Sequence, residues 1–470
     1  MQRYKTGESR QQIRMNSLEN KIENNSIVRF IDMFVEILDL VGMGFKYSET
    51  KDTGNKPYSP WDMLKLYLYG YFFGIRSSRK LETEAKRNIE LMWLICELTP
   101  DFKTIADFRK DNVDSIKKVF KEFVKICREQ GLIDSKIIGL DGTKVKAVNS
   151  RDKVHTKETI KRKEKYIDEK IDSYMKELEE ADAKEENEKT LEKEIIQKAL
   201  ENLNKRKKKL QEIKQTVEAT GEQVAETDVE SRLMKTRNGF DASYNVQAVV
   251  DGKNKLILDY SVVNETSDIN QLEPAIKAVT EEYGIENFEV VADTGYRNSE
   301  QIENIQGLGA TVYIPPKNTR PGEIEFKYNP DNNTYTCTEG KTLAFAYDFL
   351  NKGKPTNVYQ CKDCEDCPSR DKCTKSKKGR SIKVLANNNV LEEMDIRVKV
   401  SPEKMKLRSQ ICEHPFGIMK QEMGFRTFLM KGLRKVNAEA GLTMLVFNMK
   451  RVVNILKSTK TSNVCGYITG

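Results

Sequence analysis

Apolar positions between residues 57 and 127 recur at helical spacing and are divided by stop signals. Ser59 and Pro60 predict a cap and first turn ahead of "WDMLKLYLYGYFFGI". Ser78 predicts a second cap before "RKLETEAKRN", and Pro100 a boundary before "DFKTIADFRKDN" and "VDSIKKVFKEFVKIC". Short helices with basic residues near their turns read as a DNA-binding helical domain over residues 1–130 or as a plain helical bundle. From Thr143 to Thr220 there is neither Gly nor Pro. Ile160, Ile167, Ile171, Tyr174 and Leu178, then Ile196, Leu200, Leu203 and Leu210, step by threes, fours and sevens. Such spacing predicts an antiparallel coiled-coil hairpin over 151–220, with its bend at the polar "DAKEENEKT".

Past that hairpin the period changes. "ASYNVQAVVD" and "KLILDYSVV" flank "DGKN" and predict two strands joined by a tight turn. "NQLEPAIKAVTEEY" reads as a helix, "NFEVVAD" as a buried strand, "NSEQIENIQ" as a short helix and "ATVYIP" as another strand. Strands alternating with helices predict a mixed α/β sheet flanked by helices. Its first strand falls in 131–150 and the remainder in 221–316. A cysteine-rich insertion over 317–400 interrupts it before C-terminal helices over 401–460 and a tail over 461–470.

Composition narrows the class. The chain has 470 residues, 38% hydrophobic and 32% charged, enough for several domains with real cores. No apolar run approaches a membrane span, and the start "MQRYKTGESRQQ" has no apolar segment of signal-peptide type. A cytoplasmic protein of a cell without a nucleus, or one with unread targeting, is the expectation, with no membrane partner. Residues 401–460 hold twelve Lys or Arg against four Glu, a net +8 equal to the formal charge of the whole chain. That local field suits a polyphosphate such as DNA, with Lys420, Arg426 and Lys431 along its path, or else is a solubilising surface.

Five of the nine cysteines lie between Cys337 and Cys373. "CKDCEDCPSRDKC" sets Cys361, Cys364, Cys367 and Cys373 at spacings that grip one tetrahedral Zn²⁺ as thiolates, a structural zinc knuckle. Cys337 is a fifth candidate that could replace one of the four. An iron–sulfur cluster and four unliganded thiols are the other readings.

Three carboxylates stand out. "IIGLDGTKVKA" sets Asp141-Gly142 between apolar runs, a hairpin signal in its own right. It also sets Asp141 after a strand, where function collects in open α/β sheets. Asp293 ends the strand in "VVADTGY", as a functional carboxylate or as a turn or cap residue. Glu413 shares a helical face with Lys406 and Lys420, spaced by sevens. That face fits a site holding metal and phosphate, or a surface ion-pair stripe. Pro415 removes a backbone donor and crowds the carbonyl of Ile411, so the helix is expected to kink or restart near Glu413. His155 and His414 are the chain's two histidines, little material for a histidine-dependent mechanism.

"GLDGT", "ADTGY" and "EHPFGIMK…MGFRTFLMKGL" resemble the blocks of bacterial insertion-sequence DDE transposases. "YLYGYFFGIRSSRKLE" and "PDFKTIADFR" resemble the N-terminal domain of one group of them, and "RLMKTRNGFDASYNVQAVVD" the piece after the insertion. The resemblance implies a ribonuclease H-like core with Asp141, Asp293 and Glu413 as catalytic metal ligands. Such a trio holds two Mg²⁺ (or Mn²⁺) about 4 Å apart. It further implies double-stranded DNA as partner, both element ends and target, and a homo-oligomer that pairs two ends. Arg408, Glu413 and Lys420 follow part of the family's Tyr-Arg-Glu-Lys signature. Met405 stands about where the Tyr is expected, and the Arg-to-Glu spacing is one residue longer. A metal-dependent nuclease without strand transfer, and a non-catalytic zinc-containing DNA-binding descendant, are the rival functions.

Overall fold

The structure, a computed structural model, describes residues 17–49, 56–182, 190–237, 239–317 and 324–458. Six helices come first: α1 (Ile27–Glu36), α2 (Pro60–Phe72), α3 (Ser78–Ala85), α4 (Ile89–Leu94), α5 (Phe102–Asp111) and α6 (Val113–Glu129). Ser59 precedes α2 as expected, although its side chain makes no capping bond. The residue before α3 is Ser77, not Ser78. The boundary near Pro100 is made by Asp101, whose side chain accepts from the amides of Lys103 and Thr104.

A six-stranded mixed sheet follows. Its first strand is β1 (Ile137–Lys146). After a two-residue β2 (Val154–His155) come the long helices α7 (Lys157–Asp182) and α8 (Thr190–Thr220), and a short β3 (Val224–Ala225) that pairs with β2. The sheet resumes with β4 (Arg232–Thr236), β5 (Gly239–Asp251) and β6 (Ile257–Val263). Helix α9 (Leu272–Tyr283), β7 (Phe288–Ala292), α10 (Ser299–Gln306) and β8 (Ala310–Tyr313) complete it.

β5 pairs antiparallel with β1, and separate stretches of β5 pair with β4 and β6. β1 pairs in parallel with β7, and β7 with β8. The "DGKN" turn forms as expected, tied by the Asp251 carboxylate to the amides of Ser135 (2.9 Å) and Lys253 (3.0 Å). The Asp141-Gly142 pair does not turn. β1 runs straight through it, with Asp141 opposite Ala248 and Gly142 opposite Gln247. Antiparallel pairing with β5 outweighs the local turn preference, and β7 pairs with β1 only as far as Leu140.

α7 and α8 lie antiparallel. Asp168 meets Lys207 at 2.6 Å and Glu164 meets Lys214 at 2.9 Å, while Ile160, Ile167, Leu210 and Val217 bury one another along the seam. The segment expected to bend lies almost wholly outside the described residues.

A second sheet fills the cysteine-rich segment: β9 (Phe326–Asn329), β10 (Thr334–Cys337), β11 (Thr342–Asn351), β12 (Lys354–Gln360) and β13 (Ser381–Leu385). These five antiparallel strands were not legible as strands: β11 carries mostly exposed residues, and β13 turns only the half-buried Ile382 and Val384 inward. The one-turn α11 (Arg370–Cys373) lies within this segment, and α12 (Asn389–Val400), α13 (Pro402–Gln421) and α14 (Leu433–Ser458) close the chain. α13 does not restart at Pro415 and stays one helix through it. Ile411, Cys412, Pro415, Phe416 and Met419 are all buried, and that packing offsets the lost backbone bond.

One continuous hydrophobic core joins the N-terminal helices, the mixed sheet and the C-terminal helices. α14 threads it, buried along most of its length, and Asn448 bonds both the amide and the carbonyl of Ile257 at 2.8 Å. Arg76, between α2 and α3, reaches the carbonyls of Gly424 (2.5 Å) and Thr427 (2.6 Å) and the fully buried Glu439 of α14. Among the described residues no helix is long and apolar enough to cross a membrane.

Candidate active site

β1 and β7 are parallel neighbours, with Leu140 opposite Ala292. Asp141 and Asp293 each come one residue later, Asp141 still within β1 and Asp293 just past β7, so the two carboxylates stand where the parallel pairing ends. Their proximity registers in charge. Burial pushes the Asp141 carboxyl up to about 7; the Gly142 amide (2.8 Å) opposes the rise, the Asp293 charge adds to it, and Arg408 opposes it. Asp293 starts a single turn over Thr294–Tyr296 and accepts from the Gly295 amide at 2.6 Å.

α13 packs across this end of the sheet. A Cβ on Gly139 of β1 would stand 2.6 Å from the Cys412 sulfur and 2.7 Å from Ile411, so these α13 side chains pack directly on the bare backbone of β1. Lys420 donates to the Thr143 hydroxyl, and burial lowers its affinity for a proton. Glu413 stands apart from the aspartate pair. Its side chain is 65% exposed, accepts from Ser409 at 2.9 Å and lies 3.8 Å from Arg408. Arg408 thus approaches Glu413 and also acts by its charge on Asp141. Arg426 is exposed and donates to the Lys420 carbonyl at 3.0 Å, and Lys431 is exposed just before α14.

The structure adds residues that the sequence did not single out. Asp268, in the loop between β6 and α9, reaches Lys144, Asn245 and Gln247 beside Gly142. The available signal was weak: an acidic residue in the polar loop "NETSDIN" after a strand.

Cys337, Cys361, Cys364, Cys367 and Cys373 line one pocket with Phe326, Leu343, Arg370 and Arg380. Cys337 ends β10, so pairing within the second sheet brings it to the other four. Burial pushes the Cys361 thiol up to about 11 and raises that of Cys373. The guanidinium groups of Arg370 and Arg380 donate to the carbonyls of Cys364 (3.2 Å) and Cys373 (2.9 Å). Among the described residues, no three His, Cys, Asp or Glu side chains converge closely enough to hold a metal, either here or at the aspartate pair.

Two family models match the chain. One, described as a transposase DDE domain, covers residues 336–453, and the other, described as a transposase domain (DUF772), covers 16–111. The first takes in the cysteine pocket, α13 and Glu413, and neither reaches Asp141 or Asp293. No curated protein matches. Among solved structures, the chain is similar to a piggyBac transposase synaptic complex with hairpin DNA. That likeness has 8% identity and a TM-score of 0.35 over 94% of this chain and 78% of that one, too slight to bear on the site.

Proposed function

Because the chain belongs to the DDE transposases of insertion sequences, we propose that it binds the terminal inverted repeats of its own element, hydrolyses phosphodiester bonds at the ends and joins the freed 3′-OH groups to target DNA. The observation that carries this reading is the pair Asp141 and Asp293, each one residue past the last parallel pairing of β1 with β7. The sheet order supports a ribonuclease H-like core, with β5 and β6 antiparallel on one side of β1 and β7 and β8 parallel on the other.

The aspartate pair suits a hard divalent cation, Mg²⁺ or Mn²⁺. Asp141 is buried beside a second carboxylate, so its charge calls for a cation close by. Asp141 and Asp293 would hold two such ions with Glu413, once that side chain turns from Ser409 toward the pair. Such ions, bound there, would supply activation of a water or a 3′-OH and stabilisation of the leaving oxygen. The chain's own groups do the rest. Lys420, held against β1 through Thr143, offers an ammonium to a DNA phosphate next to Asp141. Arg408 is placed to balance the carboxylates before DNA arrives and to take a phosphate oxygen afterwards. Arg426 and Lys431 extend the positive path. The N-terminal helices and the α7–α8 pair are the segments available for recognising ends and pairing protomers.

The deciding experiment incubates purified protein with pre-cut inverted-repeat ends, supercoiled plasmid and Mg²⁺. Joined product is expected. Nicking without joining would make the chain a nuclease, and inert protein that still binds the repeats would make it a non-catalytic descendant.

One structural zinc, on Cys361, Cys364, Cys367 and Cys373, belongs to the same reading. Two observations support the fit: the thiols share one pocket, and two arginines line it to offset thiolate charge. Small movements of the thiols would have to close the set. About one Zn²⁺ per chain is expected by elemental analysis, with chelation loosening residues 324–388 in hydrogen exchange. Metal-free protein with all five thiols freely titratable would refute it.

A further inference from the structure

We propose that Asp268 is a positioning residue of this active site: its carboxylate gathers Lys144, Asn245 and Gln247 and, through Gln247 and Tyr296, braces the turn that carries Asp293. The inference rests on reading Asp141 and Asp293 as the cutting site.

One oxygen of Asp268 collects three donors. Asn245 Nδ2 lies at 2.6 Å, Gln247 Nε2 at 2.8 Å and Lys144 Nζ at 3.1 Å. Their convergence follows from register. Asn245 and Gln247 are alternate residues of β5 and so share a face. They stand opposite Lys144 and Gly142 of β1. Asn245 and Gln247 are fully buried, so their amides must find partners inside the protein. With its nitrogen committed to Asp268, Gln247 presents its carbonyl oxygen to the Tyr296 hydroxyl. Tyr296 is buried and closes the turn that Asp293 opens. Asp268 therefore fixes which way the Gln247 amide faces, and that orientation fixes Tyr296.

The glycine beside Asp141 makes this crossing possible. A Cβ on Gly142 would meet Gln247 Nε2 at 2.5 Å, Asp268 Oδ1 at 3.0 Å and the Tyr296 hydroxyl at 3.0 Å. Three side chains from β5, the β6–α9 loop and the Asp293 turn close over bare backbone next to one catalytic carboxylate. A Cβ on Gly295 would lie 3.7 Å from Asp268, which brings the same residue against the turn of the other carboxylate. Without Asp268, the Gln247 amide nitrogen loses its acceptor and Asn245 keeps only the Glu265 carbonyl at 3.3 Å, so the Gln247 amide is free to reverse. Tyr296 then loses its defined partner.

The test uses the full-length protein with inverted-repeat DNA, and Mn²⁺ titration read by electron paramagnetic resonance. Asp268→Ala should lower kcat for strand cleavage by about 10- to 100-fold and weaken Mn²⁺ binding in the same range, with KM for DNA within about threefold. Tyr296→Phe should fall in the same direction by a smaller factor. The double variant should be no slower than Asp268→Ala, because both act through one brace. Should Asp268→Ala not fold, Asp268→Asn paired with Tyr296→Phe must show the same non-additive loss. Wild-type kcat in the variants, a loss confined to KM, or losses that multiply would overturn the inference and leave the cutting site standing. A wild type that neither binds Mn²⁺ nor cuts would overturn the site reading and this inference with it.

Discussion

Asp141→Asn is expected to fold, bind end DNA and neither nick nor join. Asparagine keeps the size and strand position of the aspartate and removes the charge that would hold a cation. Loss of a carboxylate that organises two cations should cost at least about three orders of magnitude in rate. Asp293→Asn and Glu413→Gln should behave alike, and double variants should be little worse than single ones, since the three act as a unit. The pH dependence of stability supplies a second readout. The Asp141 pKa is raised to about 7 in the folded chain, so the folded state holds that proton more tightly than the unfolded one. Its contribution is fully present below the unfolded pKa near 4 and is lost as pH rises through about 7. Metal-free wild type should therefore melt lower at pH 8 than at pH 5 through this group. Mg²⁺ or Mn²⁺ should restore more at pH 8, and Asp141→Asn should remove both the dependence and the rescue. Cleavage by Asp141→Asn near the wild-type rate in Mg²⁺ would show that this carboxylate is structural only.

Glu439→Gln is expected to destabilise the whole chain by about 3–5 kcal/mol, because it strips one partner from a buried ion pair. Glu439 is fully buried and holds Arg76 from the N-terminal helices. It also accepts from the amides of Leu429 (2.9 Å) and Met430 (3.0 Å). A neutral amide cannot balance the guanidinium, and its nitrogen would face backbone donors. Urea denaturation should show one lowered transition that includes the N-terminal helices, since they share one core with the mixed sheet. The exposed pair Arg434 and Asp114 is the control, and Arg434→Gln should leave the curve almost unmoved. A separate early transition of the N-terminal helices, with the rest unaffected, would contradict the shared core.

Outside the cysteine-rich segment, the order of elements was legible in the chain because periodicity records which face of each helix or strand is buried. The helical start, the long apolar-stepped pair, the "DGKN" hairpin and the strand ending at Asp293 all followed from such local patterns. So did the cysteine spacing, which a single loop can satisfy. What only the tertiary structure decided depends on partners distant in sequence. Asp141-Gly142 has the composition of a turn, yet pairing with β5 holds it extended, and its glycine serves close approach rather than a bend. Pro415 stays inside a helix because its neighbours pack on the sheet. Cys337 joins the other four thiols by strand pairing. Asp268 looks like any polar loop residue until β1 and β5 align three donors against it. Local sequence states what each residue prefers alone, and the fold decides which preferences are outweighed by the neighbours it supplies.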